Sequence, residues 1–139
     1  MAERIEEVMT REPRTVTTSE PLTDAARAMR DADIGDLIVL DGQTVAGIVT
    51  DRDIVVRGIA EGRDPRSTSV AEVCTSDPTT LEPGQGIDQA IETMRRLDVR
   101  RLPVVQGGRP VGIVSLGDLA VERDSDSALA DISAASPNN

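Results

Sequence analysis

The stretch Gly47 to Asp53, GIVTDRD, returns as Gly112 to Asp118, GIVSLGD, at an offset of 65 residues (112 minus 47). Each copy begins as an apolar run typical of a buried strand and ends in a hydroxyl residue with an Asp three positions later. In a capping box, a hydroxyl at the start of a helix accepts from the amide three residues on, and an acid at that position accepts in return. The stretch therefore predicts, twice, a strand that passes directly into a helix.

The same offset continues without a gap through most of the chain. It relates Val8 to Val73, Thr10 to Thr75, Pro13 to Pro78, Thr15 to Thr80, Ala25 to Ala90, Met29 to Met94, Asp33 to Asp98 and Leu37 to Leu102. One register kept across strands, turns and helices indicates an internal duplication. A half of about 60 residues is marginally stable alone. We therefore expect the two repeats to pack face to face about a pseudo-twofold axis.

Each repeat shows the same order of elements. A Thr-rich extended segment, at 15–17 and at 79–81, precedes an amphipathic helix. The apolar stripes expected to face the core are Leu22, Ala25, Ala26 and Met29 in the first repeat, and Ile87, Ala90, Ile91, Met94 and Leu97 in the second. A hairpin of apolar strands follows, at 37–40 and 45–49 and again at 102–105 and 111–114, with Asp-Gly at 41–42 as its turn signal. A second helix then carries Ile54, Val55 and Ile59.

These patterns predict an α/β (α+β) fold in which each repeat is a small sheet with flanking helices. The strands are nearly unbroken in apolar residues, so both faces of each sheet are expected to be covered. We divide the chain into repeat 1 at residues 1–60, a linker at 61–69 rich in Gly, Pro and Ser, repeat 2 at 70–124, and a C-terminal tail at 125–139. A weak helical pattern occurs at 126–132.

The composition excludes several classes of function. The formal net charge is -10 and no aromatic residue is present, which disfavours binding to nucleic acid because neither a basic surface nor base-stacking rings are available. A flat ligand would be held by aliphatic side chains. Cys74 is the only cysteine and there is no His, so we expect no disulfide, no zinc site and no Ser-His or Cys-His nucleophile.

The absence of His also argues against an enzyme, because it removes the usual general base. We assign no catalytic and no metal-binding residue. No apolar run approaches the ~20 residues that a membrane-spanning helix requires, and the charged N-terminus lacks a signal-peptide pattern. A reducing, cytoplasmic location is expected, with Cys74 as a small buried residue.

The paired motifs, the strand-hairpin-strand order and RRLPVV at 100–105 resemble the CBS domain, and two in tandem resemble a CBS pair, or Bateman module. The resemblance covers about residues 3–124 and is to the stand-alone bacterial type, similar to the hypoxic-response CBS proteins. It implies a non-catalytic regulatory module that binds adenine nucleotides (AMP, ADP, ATP) or adenosyl ligands in clefts between the repeats. It also implies a homodimer and an unidentified protein partner, with no cofactor required.

The resemblance also implies roles for individual residues. Thr50 and Ser115 would lie near phosphate, while Asp53 and Asp118 would accept hydrogen bonds from ribose hydroxyls. Arg52 is a further candidate for phosphate, and because its counterpart is Gly117, the first site looks better equipped. The remaining candidates are Arg100 and Arg101, which would bring positive charge, and Thr15 and Thr80, which would line the adenine pocket.

Each assignment has a structural alternative. Thr50 with Asp53, and Ser115 with Asp118, could simply cap helices, although a helix start with free amides also suits an anion. Arg100 and Arg101 could form a solvated strand edge or an ion pair with nearby acids. Thr15 and Thr80 suit a strand whether or not they touch a ligand. Asp36 and Gly117 favour a second function, a structural or interaction dimer that has lost its ligand.

Overall fold

The computed structural model describes residues 3–123. Within this range the chain forms two compact units. We call Arg14–Pro78 the continuous unit. The split unit joins residues 3–13 to residues 79–123. The predicted tail at 125–139, with its weak helical pattern at 126–132, lies outside the described residues.

The elements follow the order expected of a duplicated sequence. The strands are β1 (Thr10–Arg11), β2 (Thr15–Thr17), β3 (Asp36–Asp41), β4 (Thr44–Thr50), β5 (Thr75–Ser76), β6 (Arg101–Gln106) and β7 (Arg109–Ser115). The helices are α1 (Leu22–Ala32), α2 (Asp51–Asp53), α3 (Ile87–Leu97) and α4 (Leu116–Arg123). Short 3-10 turns span Ile5–Glu7 and Val70–Glu72, and a π-helix, Ile54–Ile59, directly continues α2.

Each unit contains one small sheet. In the continuous unit the strand order is β2-β3-β4-β5, with β2 parallel to β3 and the other pairs antiparallel. The split unit has the order β1-β7-β6, with both pairs antiparallel. The predicted hairpins are confirmed, and Gly42 supplies the turn conformation with a φ of 66°. Three consecutive buried residues in β3, Leu37 to Val39, confirm that both faces of that strand are covered.

Residues far from the helices in sequence satisfy the amides at the helix starts. Neither α1 nor α3 has a side-chain cap. The Leu22 amide instead donates to the Thr68 carbonyl at 2.9 Å, and the Ile87 amide donates to the Glu3 carbonyl at 3.1 Å. The predicted linker at 61–69 thus forms part of the continuous unit, where Thr68 is buried. The equivalent bond, from the Ile87 amide to the Glu3 carbonyl, ties the N-terminal residues to the second repeat.

The helix stripes are confirmed in part. Leu22, Ala25 and Met29 are buried in one core, and Ile87, Ala90 and Met94 in the other. Ala26, however, is exposed and Leu97 is 40% exposed, because both lie at the margin of their helix stripe. In the π-helix that follows the first motif, Ile54 is buried while Val55 and Ile59 are exposed.

The predicted extended segment at 79–81 is not a strand, whereas its counterpart β2 is. Ile38 in β3 donates its amide to the Arg14 carbonyl, which anchors β2. The equivalent of Ile38 in the second repeat is Pro103, which has no N–H to donate. Only an isolated bridge between Leu81 and Val104 remains. Among the described residues, no helix is long and apolar enough to cross a bilayer.

Candidate functional site

Both motifs sit where a central strand meets a helix. At the end of β4, Thr50 has an extended backbone, and its Oγ1 accepts from the Asp53 amide at 3.0 Å. The Asp53 carboxylate accepts from the Thr50 amide at 2.9 Å, which completes the predicted capping box. Asp53 uses one oxygen in this bond. Since a carboxylate can accept about four hydrogen bonds, Asp53 keeps capacity for a ligand diol.

The second motif repeats the hydroxyl-to-amide half of this geometry at the end of β7. Ser115 Oγ accepts from the Asp118 amide at 3.0 Å, the same bond that Thr50 makes in the first motif. Ser115 is 7% exposed, whereas the Asp118 side chain is exposed. The hydroxyl in this motif is therefore part of the buried framework and the carboxylate faces solvent.

The strand register brings other predicted residues to the same end of each sheet. In the continuous unit, Asp36 is the strand partner of Thr50, and Thr15 pairs with Ile38 on the opposite side of β3. In the split unit, Arg101 is the partner of Ser115. Thr80 directly precedes Leu81, whose amide donates to the Pro103 carbonyl at 3.0 Å. Thr15 and Thr80 are both exposed.

The two units differ in charge beside their motifs. Arg52 follows the cap in the continuous unit, and Arg100 precedes β6 in the split unit. Both side chains are exposed, and within residues 3–123 neither forms an ion pair. Arg101 is only partly exposed and already takes part in a polar or electrostatic interaction.

A third hydroxyl-x-x-acid sequence shows what capping alone looks like. Ser69 begins the 3-10 turn at Val70–Glu72, and its amide donates to the Glu72 carboxylate at 2.8 Å. This hydrogen bond from the Ser69 amide lowers the pKa of Glu72, since it favours the charged form. The turn follows no central strand. A capping box by itself is therefore not a site, and what sets the two motifs apart is their place at a sheet end.

Sequence reasoning missed Asp51. Its Oδ1 accepts from the Arg52 amide at 2.8 Å, and its own amide donates to the Gly35 carbonyl at 3.0 Å. A Cβ built on Gly35 would lie 3.1 Å from Asp51 Oδ2, so the carboxylate lies against the residue before β3. The signal was present in the repeat alignment, because Asp51 and Gly35 correspond to Leu116 and Arg100.

Cys74 is buried and unpaired, as expected. Burial raises the pKa of its thiol above the ordinary value of 9.0, because desolvation disfavours the thiolate. The described residues contain no group of three or more His, Cys, Asp or Glu that could hold a metal ion.

We therefore predict that the Cys74 thiol reacts slowly with a disulfide reagent at pH 8. The rate should be at least about tenfold lower in folded protein than in urea, since burial limits both access and thiolate formation. Because the folded pKa is raised, the neutral thiol stabilises the fold below pH 9, and this contribution is lost as the pH rises through the folded value. Equal rates in folded and unfolded protein would contradict the prediction.

The family model of the CBS domain matches residues 5–58 and 70–124. The chain belongs to the CBS domain family. This CBS domain protein is 37% identical over 136 residues to the uncharacterized protein YlbB of Bacillus subtilis (strain 168), covering 94% of this chain and 91% of YlbB. It is 38% identical over 102 residues to hypoxic response protein 1 of Mycobacterium tuberculosis, covering 73% of this chain and 71% of that protein.

Solved structures agree with this assignment. The crystal structure of hypoxic response protein I, which has two coordinated zinc ions, matches with a TM-score of 0.77 and 35% identity, covering 84% of this chain and 96% of that one. The hexameric CBS-CP12 protein from bloom-forming cyanobacteria matches with a TM-score of 0.76 and 30% identity, covering 91% and 74%. The expected fold of tandem CBS repeats is confirmed. CBS domain proteins are typically regulatory modules, and stand-alone members are generally non-catalytic.

Proposed function

We propose that this CBS pair is a non-catalytic sensor that binds adenine nucleotides, or related adenosyl ligands, at its two motifs. Thr50 and Ser115 would lie near the phosphate, and Asp53 and Asp118 would accept from the ribose hydroxyls. The observation that carries the proposal is the repeated geometry: a hydroxyl accepts from the Asp amide at 3.0 Å at the end of a central strand in both units. Binding would alter an interaction with a protein partner.

The surroundings support this chemistry. Arg52 and Arg100 are exposed cations that could meet phosphate oxygens, with which the Arg fork makes paired hydrogen bonds. Thr15 lies on β2, which pairs with β3, and Thr80 precedes Leu81, which forms a bridge to β6, so both are available for the proposed contact with the base. The lone buried thiol fits the reducing cytoplasm.

Calorimetric titration with AMP, ATP, NAD and S-adenosylmethionine tests the proposal by measuring binding. Urea denaturation with each ligand measures the accompanying gain in stability. A bound ligand at 100 times its Kd should raise the free energy of unfolding by about 2.7 kcal/mol. No response to any of the four at millimolar concentration would contradict it.

A second function, self-association without a ligand, is favoured by a different observation. Val55, Val56 and Ile59 on the π-helix are 58%, 42% and 51% exposed. Large apolar side chains grouped on a surface mark interaction sites. We propose a homodimer in which this face is covered by a second copy of the chain.

We expect the wild type to sediment as a dimer at micromolar concentration and the double variant Val55→Glu/Ile59→Glu as a monomer, because buried unpaired carboxylates are costly. Ala71→Glu, which adds a charge at an exposed position of the same unit, serves as the control and should remain dimeric. A monomeric wild type, or a dimeric double variant, would refute this assignment.

A further inference from the structure

The first motif differs from the second in how its backbone amides are used. All four amides from Thr50 to Asp53 have acceptors within the unit: the Asp53 carboxylate, the Gly35 carbonyl, the Asp51 carboxylate and the Thr50 hydroxyl, at 2.9, 3.0, 2.8 and 3.0 Å. Two of these acceptors are negatively charged. The start of this helix is therefore already neutralised by carboxylates of the chain itself.

The second motif lacks one of those carboxylates. Leu116 stands where Asp51 does, and its amide donates to the Arg100 carbonyl at 2.7 Å, as the Asp51 amide does to Gly35. The Leu116 side chain has no acceptor, so it cannot take a hydrogen bond from the Gly117 amide as Asp51 Oδ1 does from the Arg52 amide. The Asp118 amide alone is satisfied by a side chain of the motif, the Ser115 hydroxyl.

The residue before the first strand of each hairpin, β3 or β6, differs between the two repeats in the same way. At Gly35 a Cβ would come within 3.1 Å of Asp51 Oδ2, a separation tighter than ordinary van der Waals contact. The carboxylate thus occupies the space into which a side chain at position 35 would start. In the second repeat, the uncharged Leu116 replaces Asp51, and the exposed cation Arg100 replaces Gly35.

We infer that Asp51 is a specificity-determining residue that keeps phosphate out of the Thr50 site, so that AMP is held at the Ser115 site. A phosphate at the Thr50 site would meet the Asp51 carboxylate, whereas the Ser115 site presents an amide without a carboxylate acceptor and an arginine. Asp51 is exposed, and two like charges about 4 Å apart still repel by about 1 kcal/mol in water. This reverses the ranking suggested by Arg52 alone. The inference rests on the proposed nucleotide binding.

Calorimetry with AMP and with adenosine tests it in five proteins: wild type, Asp51→Asn, Asp64→Asn, Leu116→Asp and Leu116→Asn. Asn can still accept from the Arg52 amide, so Asp51→Asn removes only the charge. Asp64 is the matched control because its Oδ1 also accepts from a nearby amide, that of Arg66, at 2.9 Å and away from both motifs. Leu116→Asp and Leu116→Asn lose the same packing, and only the former adds a charge.

We expect the wild type to bind one AMP per chain. Asp51→Asn should add a second AMP site or tighten the weaker one at least about tenfold, while adenosine binding and the Asp64→Asn variant stay unchanged. Leu116→Asp should bind AMP at least about tenfold more weakly than Leu116→Asn. Unchanged AMP binding in both Asp51→Asn and Leu116→Asp, with a wild type that binds AMP, overturns the role of Asp51 and leaves the proposed function intact. Absence of AMP and adenosine binding in all five proteins overturns both.

Discussion

Gly47→Ala is expected to lower the free energy of unfolding by about 2–4 kcal/mol, in the range found for overpacked or strained core positions. Gly47 lies in β4 opposite Ser76 in β5. A Cβ on Gly47 would overlap the carbonyl oxygen of Thr75 and would lie 3.1 Å from Cys74 Sγ. Because the obstacle is backbone, β5 must move away from β4 to make room. Urea denaturation, followed by circular dichroism, measures the loss.

Gly84→Ala is the matched control. No heavy atom lies within 4 Å of a Cβ at Gly84, and its φ is not positive. Its unfolding free energy should stay within about 0.5 kcal/mol of wild type. Gly112, the repeat equivalent of Gly47, should fall between the two. Its Cβ would lie 2.5 Å from Met9 Sδ, which belongs to a flexible side chain, and 2.9 Å from the Thr10 carbonyl oxygen. If Gly47→Ala and Gly84→Ala had the same urea midpoint, the close approach of the Thr75 carbonyl in β5 to Gly47 in β4 would be refuted.

The double variant Asp53→Ala/Asp118→Ala is expected to lose most of the stabilisation that AMP confers on the wild type. Hydrogen bonds to a charged group contribute about 1.5–3 kcal/mol, so the affinity should fall about 10- to 150-fold. Asp53→Ala also removes the bond from the Thr50 amide and lowers stability without ligand. The quantity to measure is therefore the difference in unfolding free energy with and without AMP for each protein.

Glu61→Ala/Glu92→Ala removes the same charge from exposed positions outside both motifs. Its response to AMP should equal that of wild type, which separates loss of the diol acceptor from a change in net charge. If the Asp double variant kept the full response, Asp53 and Asp118 would have no role in binding.

The hairpins and helix stripes were predictable because each depends on a local period or a turn dipeptide. The capping box at Thr50 was predictable for the same reason, since its partners lie three residues apart. The absence of a strand at 79–81 could also have been predicted, because Pro103 has no N–H to donate the hydrogen bond that Ile38 makes in the first repeat. The repeat alignment carried that difference, as it did the replacement of Asp51 by Leu116.

The π-helix and its exposed face could not be predicted. The sequence predicts a second helix that carries Ile54, Val55 and Ile59, but it does not indicate which of the three faces the core. The chain buries Ile54 and Gly58, and a Cβ at Gly58 would lie 2.8 Å from Leu22 Cδ1. This close approach between two distant elements determines which side of the helix faces the core.

The duplication, the order of elements and the CBS family are all properties of the amino-acid sequence, since they depend on one register of apolar, turn and capping residues. Only the tertiary structure shows which residues complete each unit. The Glu3 carbonyl accepts from the amide that starts α3, and the Thr68 carbonyl does so for α1. Such partners are backbone groups that every residue type carries. They leave no mark in the sequence, so their positions emerge only when the chain has folded.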